Sequence, residues 1–186
     1  MPLENGRRTE VSDRFRAAVP SRSVGSAATV ALVSSDRRLL VVHHTPSPAV
    51  QELLEAALQG LAHPDLAAVD VQVEPALSAT ASDVLAASGF VLITPANIGY
   101  MSGALKHFFD TIYYPCLDAT RGRPMALIVH GNDDTAGAVR SVERITQALQ
   151  WRPVAAAVTV IGAPAATQRE AVADAAATVA ADILAG

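Results

Sequence analysis

Hydroxyl and imidazole side chains stand together in one short polar stretch, residues 44–50, with the sequence HTPSPAV. An apolar run ends just before this stretch, and a helical pattern starts within it. Backbone N–H groups at the start of a helix have no internal partner and carry a partial positive charge, so they can bind phosphate. The hydroxyls of Thr45 and Ser47 add two further donors. A serine and proline turn that only caps the helix explains the same residues, and the stretch alone favours neither interpretation.

Small residues, glycines and an aromatic side chain follow a second apolar run, in residues 94–106 with the sequence TPANIGYMSGALK. A flat ring could lie against the backbone amides of this stretch, between the side chains of Tyr100 and Met101. Ser102 also suits the N-cap of the helix that follows, which would explain its presence without a ligand. A lysine at position 106 is more typical of a solvated charge than of a ligand contact.

A third polar stretch, residues 131–137 with the sequence GNDDTAG, again follows an apolar run directly. Asn, Asp and Gly are ordinary turn residues, so this composition alone needs no ligand. His130 together with Asp133 and Asp134 could suggest a metal site. Carboxylates in a turn are usually solvated, however, and no second histidine stands nearby, so we expect no metal there.

The elements that position these stretches follow a regular alternation. Apolar runs predict strands at residues 39–42, 69–73, 90–93, 125–129 and 155–161. Apolar stripes at helical spacing over residues 50–61, 105–112, 139–149 and 172–183 predict four helices, and Ser82 with Asp83 can cap a short helix at residues 84–87. Continuous apolar strands that alternate with helices indicate an α/β fold, with a doubly wound, five-stranded parallel sheet and helices on both faces. Such sheets bind ligands beyond the carboxyl ends of their strands, so we expect the three stretches to share one site.

The first 37 residues differ in composition from the rest of the 186-residue chain. Six arginines alternate there with serine, acidic residues and proline, and no period persists. We therefore expect residues 1–37 to form a flexible N-terminal extension and residues 38–186 to form one domain. In an alternative interpretation, residues 28–33 add an edge strand or an oligomer contact.

Composition and charge exclude several classes of protein. With 51% hydrophobic and 17% charged residues, the chain can bury a core and is not disordered throughout. The net charge of −4 disfavours a nucleic-acid partner, because nucleic-acid-binding proteins usually carry a basic stripe. A single cysteine, Cys116, allows neither an internal disulfide nor a thiolate metal cluster. Without a membrane-length apolar run or a signal peptide pattern, we expect a cytoplasmic protein with no membrane contact.

Three nucleotide-binding and catalytic motifs are absent from the sequence. The glycine positions form neither the G-x-G-x-x-G dinucleotide fingerprint nor a Walker phosphate loop. Gly99, Ser102 and Gly103 give the spacing G-x-x-S-G, whereas a hydrolase nucleophile elbow needs a serine midway between two glycines.

Residues 94–111, TPANIGYMSGALKHFFDT, resemble the loop after the third strand of flavodoxin-like FMN-dependent reductases. The resemblance extends from Leu39 to the C-terminus and implies the strand order 2-1-3-4-5. It also implies that this loop packs on the isoalloxazine ring of FMN. The residues that it places at the flavin ring are Pro95, Ala96, Asn97, Ile98, Gly99, Tyr100, Met101 and Ser102.

The first stretch is similar to the phosphate loop of the same family. Thr45 and Ser47 occupy its first two hydroxyl positions, and His44 can act as an additional donor. Its Gly-Asn-Thr segment is replaced here by Pro48, Ala49 and Val50, which we keep among the expected contacts. The resemblance places three residues of the third stretch at the flavin edge by position alone: Gly131, Asn132 and Asp133.

The resemblance implies an oxidoreductase that passes hydride from NAD(P)H through bound FMN to a quinone or another small acceptor. FMN would carry the chemistry, so no catalytic side chain and no metal are expected. NAD(P)H would bind only transiently, and the family resemblance implies a homodimer or tetramer. Two alternatives remain: a flavodoxin-type electron carrier, which the mild charge of −4 disfavours, and a flavin-free binding protein of the same fold.

Overall fold

Strands and helices alternate along residues 37–186, the part of the chain that the computed structural model describes. The strands are β1 (Arg38–His43), β2 (Asp70–Pro75), β3 (Gly89–Asn97), β4 (Tyr100–Met101), β5 (Pro124–Gly131), β6 (Arg152–Pro153) and β7 (Val158–Ile161). The helices are α1 (Pro48–Leu61), α2 (Ala81–Ala86), α3 (Gly103–Cys116), α4 (Ala136–Ala148) and α5 (Ala166–Ala185), with a short 3-10 turn at Pro64–Leu66. The predictions for the N-terminal extension and for residues 28–33 lie outside the described residues.

Five parallel strands form the sheet in the order β2-β1-β3-β5-β7. In the register of the central strands, Val41 pairs with both Val73 and Val91, and Val91 pairs with Ala126. Counted along these five strands, the order is the expected 2-1-3-4-5. The two short strands are additions: β4 pairs with β3 in antiparallel fashion, and β6 pairs with the beginning of β5.

Side chains of the central strands alternate between two apolar layers. On β1, Leu39 and Val41 point into the layer formed with α1 and α5, whereas Leu40 and Val42 point into the layer formed with α2, α3 and α4. All four side chains are fully buried. A strand that is apolar on both faces needs helices on both sides of the sheet, so the continuous apolar pattern predicted this arrangement correctly.

Several element boundaries differ from the predicted ones. Helix α2 begins at Ala81, because Thr80 rather than the Ser82–Asp83 pair provides the cap, with Asp83 as the reciprocal partner of a capping box. Helix α3 continues to Cys116 with Pro115 inside it, so the predicted end at residue 112 was wrong. The last strand of the sheet, β7, is also shorter than the predicted 155–161.

Within residues 37–186, every helix is too short or too polar to cross a bilayer.

Candidate functional site

Three connections leave the same edge of the sheet, where β1, β3 and β5 end side by side. His43 pairs with Ile93, and Pro95 pairs with His130. The His44 N–H donates to the Ile93 carbonyl at 2.9 Å, which ties the first connection to the third strand. The structure therefore brings the three predicted stretches together at one edge, at the point where the strand order reverses.

The first connection forms the N-terminus of α1. Ser47 is the N-cap: its hydroxyl accepts from the Val50 N–H at 3.5 Å, and its carbonyl accepts from the Gln51 N–H at 3.0 Å. Pro48 occupies the first helical position and has no N–H. The Ala49 N–H is then the first-turn donor for which the described residues provide no acceptor.

Two histidines lie next to this helix start. His44 Nδ1 is buried and has no hydrogen-bond partner among residues 37–186, whereas His43 Nδ1 lies 3.2 Å from Thr45 Oγ1. Burial lowers the pKa of His43 below 6.5, and the neighbouring His44 lowers it further, although Glu74 acts in the opposite direction. A buried nitrogen without a partner is costly, and a hydrogen bond to a ligand atom, made when the His44 ring turns toward it, would remove that cost.

The second connection is a β-hairpin and not an open loop. Asn97 pairs with Tyr100 and Ala96 with Met101, so that Ile98 and Gly99 form the two-residue turn. Their φ angles are 52° and 70°, both in the left-handed region, as a type I′ hairpin turn requires. Ile98 is fully exposed at the tip, which is an unusual place for a β-branched side chain with positive φ.

Buried hydrogen bonds fix the base of this hairpin. Ser102 is fully buried, and its hydroxyl lies 3.0 Å from Thr94 Oγ1 and accepts from the Leu105 N–H at 3.2 Å. The Met101 N–H donates to Ser141 Oγ of α4 at 3.3 Å. The hairpin is therefore held between the start of α3 and the first turns of α4, and its exposed tip projects from a rigid base.

The start of α4 lies against the hairpin tip. A Cβ atom on Gly137 would lie 1.9 Å from the Gly99 carbonyl oxygen, so only glycine allows this approach. The sequence did not single out Gly137. It stands in the polar stretch 131–137, before the predicted helix that begins at residue 139, so nothing in the sequence indicated that it lies in the first turn of α4.

The third connection is a tight turn between β5 and α4. The Asp134 carboxylate accepts from the Ala136 N–H at 2.9 Å, and a Cβ on Gly131 would lie 2.6 Å from the Asp134 carbonyl oxygen. Asn132 and Asp133 are exposed. His130 Nε2 lies 2.8 Å from the Gly162 carbonyl oxygen and so has a structural partner on the next connection.

The residues predicted to contact a ligand divide into two groups. The exposed and half-buried ones surround the sheet edge: His44, Thr45, Ser47, Pro48, Ala49, Ala96, Asn97, Ile98, Gly99, Tyr100, Asn132 and Asp133. The others are a buried glycine and four residues with buried side chains, which pack inside the sheet edge: Gly131, Val50, Pro95, Met101 and Ser102. The second group can offer a ligand backbone atoms only.

Residues 42–168 match the model of the family described as NADPH-dependent FMN reductase. The chain belongs to this family. Comparison with curated protein sequences gave no significant match.

Solved structures similar to this family member include proteins described as flavodoxins. A flavodoxin from the domain Archaea superposes with a TM-score of 0.69 at 14% identity, over 79% of this chain and 99% of that one. A Streptococcus pneumonia TIGR4 flavodoxin gives 0.67 at 19% identity, over 78% and 99% of the two chains. A flavodoxin, WrbA-like protein from Agrobacterium tumefaciens gives 0.64 at 15% identity, over 80% and 98%. At these identities the likeness establishes the flavodoxin-like fold.

The donor set of the first connection fits the phosphate of FMN. An anionic oxygen would provide the acceptor that both His44 Nδ1 and the Ala49 N–H lack. The Ser47 hydroxyl accepts from the Val50 N–H, so its O–H is free to donate, and the Thr45 O–H is free in the tautomer in which His43 Nδ1 donates to Thr45 Oγ1. The hairpin tip and the turn at Asn132 are exposed at the same edge of the sheet.

Proposed function

We propose that this family member is an NAD(P)H-dependent oxidoreductase that holds FMN at the edge formed by β1, β3 and β5 and reduces a quinone or another small acceptor. The observation that supports the proposal is the convergence of the three connections at the strand-order switch, with an unpartnered His44 Nδ1 beside a helix start. When bound, FMN would supply the redox chemistry, in which NAD(P)H, one proton and a quinone give NAD(P)⁺ and a hydroquinone.

In this proposal, the residues of the chain bind FMN and orient its ring. We assign His44, the Ala49 N–H and the hydroxyls of Thr45 and Ser47 to the phosphate. We assign the hairpin of residues 96–100 and the turn of Asn132 and Asp133 to the ring. Rigid support of the hairpin by Ser102 and Ser141 keeps its backbone amides in fixed positions, so that little ordering is needed when a flat ring binds.

Two further expectations belong to this proposal. A homodimer or tetramer is supported by the family resemblance, and a cytoplasmic location by the single, buried Cys116. The domain extent of residues 38–186 also stays a prediction.

The flavodoxin-type carrier is the second candidate, because proteins named flavodoxins are among the structural neighbours. The flavin-free alternative rests on Pro48, which removes an N–H from the helix start, and on Val50, whose buried side chain cannot reach a phosphate. A carrier would keep FMN but would not oxidise NADPH catalytically, and a flavin-free protein would bind none.

The test compares FMN with riboflavin, which lacks the phosphate, in wild-type protein and in a His44→Ala variant. We expect the variant to lose about tenfold or more in FMN affinity, the typical effect of losing one hydrogen bond to a charged group. Riboflavin affinity should stay within about twofold, because His44 is assigned to the phosphate alone. Steady oxidation of NADPH with menadione as acceptor then distinguishes the reductase from the carrier. Equal losses for FMN and riboflavin would contradict the assignment of His44.

A further inference from the structure

A groove of about 800 Å³ lies between α3 and α4 and opens beside the hairpin tip. Tyr100 of the hairpin stands at one end, Tyr113 and Lys106 belong to the α3 side, and Arg140 and Arg144 belong to the α4 side. Its size is within the range of small-molecule sites. Because Gly99 and Gly137 also line it, the groove is continuous with the edge at which we place the flavin.

The groove contains polar groups without partners. Arg140 and Arg144 are exposed and stand four residues apart on α4, and neither guanidinium has an ion pair or hydrogen bond within residues 37–186. The hydroxyls of Tyr100 and Tyr113 likewise have no partner in the described part of the chain. Lys106 differs, since its ammonium group pairs with Asp110 at 2.5 Å.

Two arginines one turn apart repel each other, and no carboxylate of the described residues forms an ion pair with either guanidinium, although Glu143 stands beside them on α4 and Asp110, which pairs with Lys106, also lines the groove. An anion would relieve this repulsion and could accept hydrogen bonds from both guanidinium groups. The chain as a whole has a net charge of −4, so this positive site stands out against an acidic background and would attract an anion selectively.

Aromatic and aliphatic side chains form the rest of the groove. Phe109 is almost fully buried beneath it, and Ile145 and Tyr113 are half-buried. Tyr100 keeps 45% of its surface exposed. Such a lining suits a planar ring, which can stack on the tyrosines while its acidic group reaches the arginines.

We propose that this groove binds the acidic group of an aromatic electron acceptor, so that the protein favours quinones bearing a sulfonate or carboxylate over neutral ones. The proposal rests on the proposed function, because it names the class of acceptor reduced at the adjacent edge. Arg140 and Arg144 are then specificity residues, and neither takes part in binding the flavin.

The experiment uses the FMN-loaded protein with NADPH and two acceptors, naphthoquinone sulfonate and the neutral menadione. In the double variant Arg140→Gln/Arg144→Gln, we expect the KM for naphthoquinone sulfonate to rise about tenfold or more, as for loss of a charge-assisted contact. The KM for menadione and the KM for NADPH should change by less than about twofold. Arg121→Gln/Arg152→Gln is the matched control, since it removes the same two charges from exposed arginines outside the groove.

A binding measurement separates this proposal from the proposed function. Calorimetry with naphthoquinone sulfonate, without NADPH, should show tight binding to wild-type protein and loss of affinity in the double variant, whether or not the protein catalyses NADPH oxidation.

Unchanged affinity in an active enzyme would overturn the groove proposal and leave the proposed function standing. A rise in the KM for NADPH alone would assign the arginines to the nucleotide phosphate. Dissociation of an oligomer, with equal losses for both quinones, would assign the groove to a second copy. Either result would overturn the proposal.

Discussion

Replacement of Gly137 by alanine tests whether the approach of α4 to the hairpin tip shapes the flavin site. The added Cβ would lie 1.9 Å from the Gly99 carbonyl oxygen and 2.9 Å from its carbonyl carbon. Ordinary contact begins at 3.4 Å, so the hairpin tip and the helix must separate by about 1.5 Å. The clash joins the new Cβ, which is attached directly to the helix backbone, and the backbone carbonyl group of Gly99, so no flexible side chain can absorb the displacement.

Forcing an extra carbon into a packed contact costs about 1–3 kcal/mol. Because the clash involves backbone atoms, the cost should lie near the upper end of this range, about 3 kcal/mol, and alanine in a helix recovers up to about 1 kcal/mol relative to glycine, so the net loss in the free energy of unfolding should be about 2 kcal/mol. If the displaced hairpin is the ring-binding surface, FMN affinity should also fall about tenfold, since 1.4 kcal/mol corresponds to a factor of ten. Denaturant unfolding measures the first effect, and titration of flavin fluorescence measures the second.

Gly103→Ala is the matched control. Gly103 also begins a helix beside the hairpin, but a Cβ there would meet nothing within 4 Å, so the free energy of unfolding should stay at the wild-type value or rise by up to about 1 kcal/mol, and FMN affinity should not change. Wild-type FMN affinity in Gly137→Ala, in a protein that shows the expected loss of stability, would refute the placement of the ring at the hairpin.

Three further substitutions give predictions from single contacts. Ile98→Asn should raise the free energy of unfolding by about 1 kcal/mol, because asparagine tolerates the left-handed conformation (φ 52°) better than a β-branched residue. Thr120→Val should lower it by about 1–3 kcal/mol, because the buried Trp151 Nε1–H then loses its acceptor at 2.8 Å. His43→Gln should reduce the loss of stability in acid. Burial lowers the pKa of His43 in the folded state below the unfolded value of 6.5. The contribution of the neutral imidazole to the free energy of unfolding is therefore complete above pH 6.5 and is lost as the pH falls through the folded pKa. Urea unfolding measures all three, the last at a series of pH values.

Controls for these substitutions come from exposed positions. Ile161→Asn changes the same residue type at a half-exposed strand position without positive φ, and should lower stability, where Ile98→Asn raises it. Thr178→Val removes an exposed hydroxyl that bonds only to its own helix and should be nearly neutral. His63→Gln, at an exposed histidine, is the control for His43→Gln. Any pair that behaves alike would show that the contact named for it has no special effect.

The arrangement of the sheet could be predicted because its cause is local in the sequence. Continuous apolar strands such as β1 and β5 must be covered on both faces, and their alternation with helices then implies parallel order and a shared carboxyl edge. The connections that follow them therefore had to meet, whatever their detailed conformation.

The hairpin could not be predicted in the same way. Hairpins of this type usually have Asn-Gly or Asp-Gly at the two turn positions. Here isoleucine stands at the first turn position, and contacts distant in sequence hold the turn in place. Gly137 and Ser141 provide those contacts from α4, about forty residues further along the chain. The end of α3 was missed because Pro115 suggests a break, although its ring is accommodated in the last turn.

The visible spectrum of the protein, mixed with FMN and then separated from the excess, tests the central claim most directly. The account predicts that flavin absorption bands remain with the protein at close to one FMN per chain and bleach when NADPH is added without oxygen. A protein that retains no flavin under these conditions would contradict the assignment of the sheet edge as an FMN site.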